Sequence, residues 1–164
     1  MNPIKPKGAD EMKCKKYYLA YGSNMDIEAM KTRCPDASIV GKAILEDWML
    51  VFKRYADIIP RIGCEVPALI WAITDSEERK LDYYEGYPDY YTKEEINVTM
   101  TSLRGTHPRG ITALVYVMQD SHDIQPPAKL YYDCIHAAYE RFGFDTKPIV
   151  LALRDAINAE IGFY

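Results

Sequence analysis

The stretch LDYYEGYPDYY, residues 81–91, joins two kinds of structure and holds one unusual acid. Upstream of its break, SEERKLDYYE (76–85) reads as a short helix, capped by Thr74 or Asp75 and ended by Gly86 and Pro88. Downstream, YYTKEEINVTMT (90–101) reads as a long strand with partial alternation. The same stretch sets one carboxylate, Glu85, among Tyr83, Tyr84, Tyr87, Tyr90 and Tyr91. A glutamate amid aromatic rings is poorly solvated, which raises its pKa and makes it a better proton carrier near neutral pH. The alternative is a solvated helix-end glutamate beside tyrosines that serve the core.

Working outward, KYYLAY (16–21) is rich in β-favouring residues and stops at Gly22-Ser23-Asn24. A helix over 25–33 follows, with Ser23 and Asp26 in the spacing of a capping box, and CPD (34–36) ends it. ASIVGKAI (37–44) and DWMLVFKRY (47–55) read as two strands, and ALIWAIT (68–74) as a buried one. PRIGCEVP (60–67) reads as a turn or loop between them. Past the long strand, SLRGTHPRG (102–110) is a connection and ITALVYVM (111–118) pairs back in hairpin fashion. QDSHDIQPP (119–127) crosses the surface, and two helices close the chain over 128–141 and 148–159, broken at FGFDTKP. Residues 1–15, rich in lysine and proline, read as a flexible N-terminal tail, and 16–164 as a single domain. The mixture predicts an α+β fold built on a curled, partly closed sheet.

Composition narrows the partners. The chain has 164 residues, 48% hydrophobic and 27% charged, which suits one domain with a sizeable core. Fourteen tyrosines supply most of the aromatic content, and their apolar bodies and polar tips suit a pocket or an interface. A net charge of -4 without a basic stripe argues against nucleic acid. No apolar run has membrane-spanning length and the N-terminus has no signal-like apolar core, so the expectation is a cytoplasmic protein with no membrane partner. The scattered Cys14, Cys34, Cys64 and Cys134 read as free thiols.

Most familiar chemistries lack their residues. Neither nucleotide-binding glycine motif is present, and neither is H-E-x-x-H. Tyr21 stands where a nucleophile elbow needs its first glycine. His107, His122 and His136 are scattered, and Cys134 and His136 are two apart on a helix, which turns them to different faces. The expectation is an activity without metal or cofactor.

YGSN (21–24) is a strand end, small residues and a helix start. Gly22 has wide backbone freedom, and helix-opening N–H groups bind anions. The other reading is a plain strand-to-helix turn with Ser23 or Asn24 as cap. Asp26 and Glu28 follow, and the first cation is Lys31, so a phosphate is poorly served and a single carboxylate tolerated. Loop and acid together describe a site for an amino acid.

YLAYGSNM, then ADIIPRIGCEVPALIWAI, then LDYYEGYPDYYTK resemble the γ-glutamylcyclotransferase-like family, which includes the AIG2-like proteins. The order and spacing agree over roughly 17–143. The resemblance implies a small mixed β-barrel with flanking helices. It implies cyclisation of a γ-glutamyl group to 5-oxoproline with release of an amine or amino acid. It implies Glu85 as general acid/base and Tyr21, Gly22, Ser23 and Asn24 as the substrate-binding loop. Tyr116 and Tyr131 match the family's pocket tyrosines, and Tyr91 joins them as a candidate substrate contact. One departure is Ala68, where family members often carry glycine. It adds a methyl at a strand position expected near the pocket. Two other readings stand beside this one: a small-molecule binding or interaction protein of the same fold without turnover, and a deprotecting, amidohydrolase-like enzyme acting on another γ-glutamylated metabolite.

Overall fold

The computed structural model describes residues 15–105 and 107–162. Almost all of the expected N-terminal tail therefore lies outside the described residues. Five strands form a closed barrel: β1 (Lys16–Ala20), β2 (Ser38–Lys53), β3 (Tyr55–Ile73), β4 (Tyr91–Ser102) and β5 (Arg109–Met118). Their order around the barrel is β1-β3-β2-β4-β5, and a parallel contact of Tyr18 with Leu114 joins β5 back to β1. Four helices flank it: α1 (Ile27–Arg33), α2 (Asp75–Glu85), α3 (Lys129–Arg141) and α4 (Lys147–Glu160). The core is largely apolar, and Leu19, Leu45, Ile58, Leu69, Ile70 and Val115 are among its fully buried side chains. Among the described residues no helix is long and apolar enough to cross a membrane.

Two expectations about the middle of the chain need correction. The two strands expected over 37–44 and 47–55 are one strand, β2, bent at Asp47, which lies in the left-handed region at φ 62°. The expected loop over 60–67 runs inside β3. Trp48 pairs with Pro60 and Glu46 with Glu65, so Arg61, Ile62, Gly63 and Cys64 stand opposite Asp47 alone. This bulge absorbs the proline and glycine that otherwise read as a turn. The Asp47 carboxylate accepts the Gly63 N–H at 2.9 Å and pins it. The hairpin turns instead at Arg54, between the paired Lys53 and Tyr55.

Local chemistry explains the helix that matters most. The Thr74 hydroxyl accepts the Glu77 N–H at the start of α2, and the Glu77 carboxylate accepts the Thr74 N–H, which completes a capping box. Gly86 ends α2 in the left-handed conformation at φ 66°, a geometry other residues adopt only with strain. The first helix begins differently from expectation. Ser23–Met25 form a 3-10 turn, and Asp26 caps α1 by accepting the Ala29 N–H at 2.7 Å. The turn consumes the residues assigned to a capping box, so Ser23 caps nothing.

Candidate active site

The C-terminal end of β1 and the C-terminal end of α2 open onto one cavity of about 350 Å³ at an end of the barrel. The tip of the β2–β3 hairpin folds against this end. The Tyr91 hydroxyl donates to the Ala56 carbonyl at 2.7 Å, and the Ala56 N–H donates to the Tyr131 hydroxyl at 3.0 Å. Glu85, Tyr21, Gly22, Ser23, Asn24, Tyr91, Tyr116 and Tyr131 all line this one cavity, although they come from five elements and a loop. Ala68 does not. It is fully buried in β3 opposite Ala43, so the expected methyl near the pocket lies in the core.

Glu85 is the last residue of α2. By surface area it is only partly buried, because it lines the cavity, but protein surrounds its other sides. Burial lifts its carboxyl to about 7, while the Arg33 guanidinium and the Asn24 amide hold it from rising further. Among the described residues one hydrogen bond reaches it: the Asn24 Nδ2 donates to Glu85 Oε1 at 3.1 Å.

Asn24 is 3% exposed and almost completely partnered. Its Nδ2 also donates to the Tyr18 hydroxyl at 2.9 Å, and its Oδ1 accepts from Arg33 Nη1 at 2.6 Å. Its main-chain carbonyl accepts the Trp71 indole N–H at 3.0 Å. Arg33 in turn lies 3.7 Å over the Tyr84 ring. An asparagine gripped this way on side chain and main chain is a rigid fixture.

The chain approaches its neighbours closely at Gly22. A Cβ there would meet Ala56 Cβ at 3.3 Å and the Tyr131 hydroxyl at 3.6 Å. The glycine lets the hairpin tip approach the loop. The Ser23 hydroxyl lies 3.3 Å from the Tyr84 hydroxyl and also close to that of Tyr131.

The tyrosines divide into two kinds. Three hydroxyls already donate within the protein: Tyr21 to the Tyr116 carbonyl at 2.6 Å, Tyr91 to Ala56, and Tyr116 to Asp82 Oδ1 at 2.7 Å. Their rings form wall. The Tyr131 hydroxyl accepts from Ala56 N–H and has the Ser23 hydroxyl beside it. Burial pushes all four hydroxyls above the ordinary tyrosine range, so they stay neutral. Tyr55 extends this wall edge-on to Tyr131, with ring centres 5.4 Å apart.

Reading the sequence missed Tyr55, Asp82 and Arg33. Tyr55 sat at the end of an expected strand rather than past a turn. Arg33 looked like an ordinary cation in the last turn of a helix. Its reach to Asn24, nine residues earlier, becomes visible only once the 3-10 turn is in place. Among the described residues, no group of three or more His, Cys, Asp and Glu side chains converges in a metal-binding arrangement.

Comparison with known proteins agrees with this architecture. The sequence matches the family described as γ-glutamyl cyclotransferase, AIG2-like, over residues 18–133. No curated protein matches it. A solved γ-glutamyl cyclotransferase superposes with a TM-score of 0.71 at 25% identity, covering 85% of this chain and 86% of its own. An uncharacterized protein from Homo sapiens follows at TM-score 0.68 and 25% identity, covering 84% of this chain and 86% of its own. YkqA from Bacillus subtilis shares the fold at TM-score 0.66 and 20% identity, covering 89% of this chain and 55% of its own. The match spans most of the chain, from the β1 end that carries YGSN to the α3 helix that carries Tyr131, and the chain belongs to the AIG2-like γ-glutamyl cyclotransferase family.

Proposed function

We propose that this protein cyclises a γ-glutamyl amine or γ-glutamyl amino acid to 5-oxoproline and releases the amine, with Glu85 carrying the protons. The observation that supports this most is a single carboxyl, lifted to about 7 by burial, at the wall of a cavity of small-molecule size. Family membership favours cyclotransferase chemistry over the other two readings.

Each step asks for something the residues offer. As carboxylate, Glu85 takes a proton from the substrate's α-ammonium. The freed nitrogen attacks the γ-carbonyl carbon of its own chain and closes a five-membered ring. A carboxyl near 7 is weak enough as an acid to accept that proton and strong enough to return it. It gives the proton to the departing nitrogen as the old amide bond breaks, and the second ammonium proton leaves on the released amine. Because nucleophile and electrophile share one molecule, holding the chain curled supplies up to about 7–11 kcal/mol in well-oriented systems. The YGSN main chain is assigned to the substrate carboxylate, and Tyr131, whose hydroxyl accepts from the Ala56 N–H at the cavity wall, to a substrate acceptor. The rings of Tyr21, Tyr91 and Tyr116 exclude water, which strengthens every charge interaction inside.

The test is a γ-glutamyl amine with its α-amine acetylated. It should bind in competition with the parent compound and release no amine. Amine release from the blocked compound would show that water, not the α-amine, is the nucleophile, and would favour the deprotecting reading.

A further inference from the structure

We propose that Arg33 is a positioning residue for Glu85: it locks the Asn24 side chain so that the carboxyl meets an N–H donor, and so keeps that carboxyl in its base form. The inference rests on the reading of Glu85 as the proton carrier.

The geometry forms a chain of three side chains. Arg33 Nη1 donates to Asn24 Oδ1 at 2.6 Å, and Asn24 Nδ2 donates to Glu85 Oε1 at 3.1 Å. A guanidinium has donors only, so the atom of Asn24 that faces Arg33 must be the oxygen. The nitrogen must then face Glu85 and Tyr18. An amide N–H stabilises a carboxylate. An amide oxygen turned the same way would stabilise the protonated acid instead. Arg33 thus acts twice, through the orientation of Asn24 and through its own charge.

The site gives Arg33 no rival. Facing Glu85 are Tyr18 and Tyr21 from the β1 end, Tyr91 from β4, Tyr116 from β5, Tyr131 from α3 and Tyr84 from its own helix. Burial pushes the hydroxyls of Tyr18, Tyr21, Tyr91, Tyr116 and Tyr131 upward, so these stay neutral near pH 7. Burial drives the Glu85 carboxyl up, and Arg33 is the cation that opposes it. Arg33 is itself held in place by stacking 3.7 Å over Tyr84, so its position is fixed without a carboxylate partner of its own among the described residues.

The experiment titrates the Glu85 carboxyl carbon by NMR in the full chain, assigned by its loss in Glu85→Gln. Wild type is compared with Arg33→Met, Arg33→Gln and Arg33→Lys. Arg33→Met removes charge and donor, Arg33→Gln keeps a donor, and Arg33→Lys keeps the charge. The Arg33→Met midpoint should rise by about one pH unit or more. Arg33→Gln should rise less, and Arg33→Lys should return most of the way to wild type. The acid limb of kcat/KM should move with the midpoint, while the rate at high pH is largely retained. Should Arg33→Met fail to fold, the other two variants still separate the contributions. A midpoint that stays put or falls in the folded variants overturns the proposal, as does a rate loss that is uniform across pH. The titration needs no substrate. A wild type with a normal titration and no turnover would therefore refute the proposed function and leave this inference to the titration alone.

Discussion

Glu77 and Glu85 sit at opposite ends of helix α2, Glu77 fully buried and Glu85 partly buried at the cavity wall. Glu77, 1% exposed, is in the first turn and accepts two main-chain N–H groups, Asp36 at 2.8 Å and Thr74 at 3.1 Å. It has the partners a buried carboxylate needs, and the positive end of the helix dipole favours its charge. Glu85 closes the last turn, where the dipole disfavours an anion, and accepts one side-chain amide. The same residue type on the same helix is thus a structural clasp at one end and, in the proposed mechanism, the proton carrier at the other. Burial with enough donors settles a carboxylate, whereas burial with few donors beside a cavity raises its pKa.

Exchanging each glutamate for glutamine breaks this contrast most directly. Glu85→Gln should lower turnover by about 10² to 10⁴ with the fold intact, because the amide keeps size and hydrogen bonding but carries no proton. Glu77→Gln should leave kcat within a few-fold and instead cost about 1–3 kcal/mol of stability, because one of its acceptors becomes a donor facing an N–H group. Steady-state kinetics and denaturant melts on both variants read the two effects. Similar losses of activity from both would erase the distinction.

The loop extends the comparison from acids to backbone. Gly22→Val should reduce kcat/KM by about 10²-fold, since the added branches push against Ala56 and Tyr131 and misplace the hairpin tip. Ser23→Ala should do far less, because its hydroxyl meets the Tyr84 and Tyr131 hydroxyls and its loss leaves the backbone in place. Equal losses would point to a substrate contact for the serine hydroxyl.

Stability against pH sharpens the Glu85 half. An ordinary glutamate in the unfolded chain titrates near about 4.3, and the folded carboxyl near about 7. The folded state therefore binds the extra proton between these values, and stability falls as pH rises through that window, levelling above it. Glutamine has no such loss. The melting temperature of Glu85→Gln relative to wild type should rise from pH 5 to pH 8. A difference that stays flat would mean the carboxyl is not raised. The smallest effect belongs to Tyr116→Phe, which frees Asp82 from one hydrogen bond and should cost about 1 kcal/mol in a denaturant melt with little change in kcat. A large drop in kcat would place that hydroxyl on the substrate.

Much of this was legible in the residues themselves. α2 announced itself through Thr74, Glu77 and Gly86, each a local signal with a local cause. Glu85 stood out because it was one acid among rings, and YGSN because it was a strand end followed by small residues. The rest depended on contacts no local pattern encodes. Arg61 to Cys64 look like a turn, yet opposing Asp47 lets the strand run through them. Gly22 reads as a flexible hinge, but its constraint comes from Ala56 on another strand. The grip of Arg33 on Asn24 needs the 3-10 turn to set their spacing and Tyr84, from a different helix, to hold the guanidinium.

In the proposed mechanism the substrate's own amine, not water, closes on the γ-carbonyl with Glu85 moving the protons. Turnover of a γ-glutamyl amine in ¹⁸O-labelled water, read by mass spectrometry for wild type and Glu85→Gln, tests it in one measurement. Wild type should give unlabelled 5-oxoproline and the variant almost none. Labelled glutamate as the main product, or 5-oxoproline formed equally fast without the Glu85 carboxyl, would contradict it.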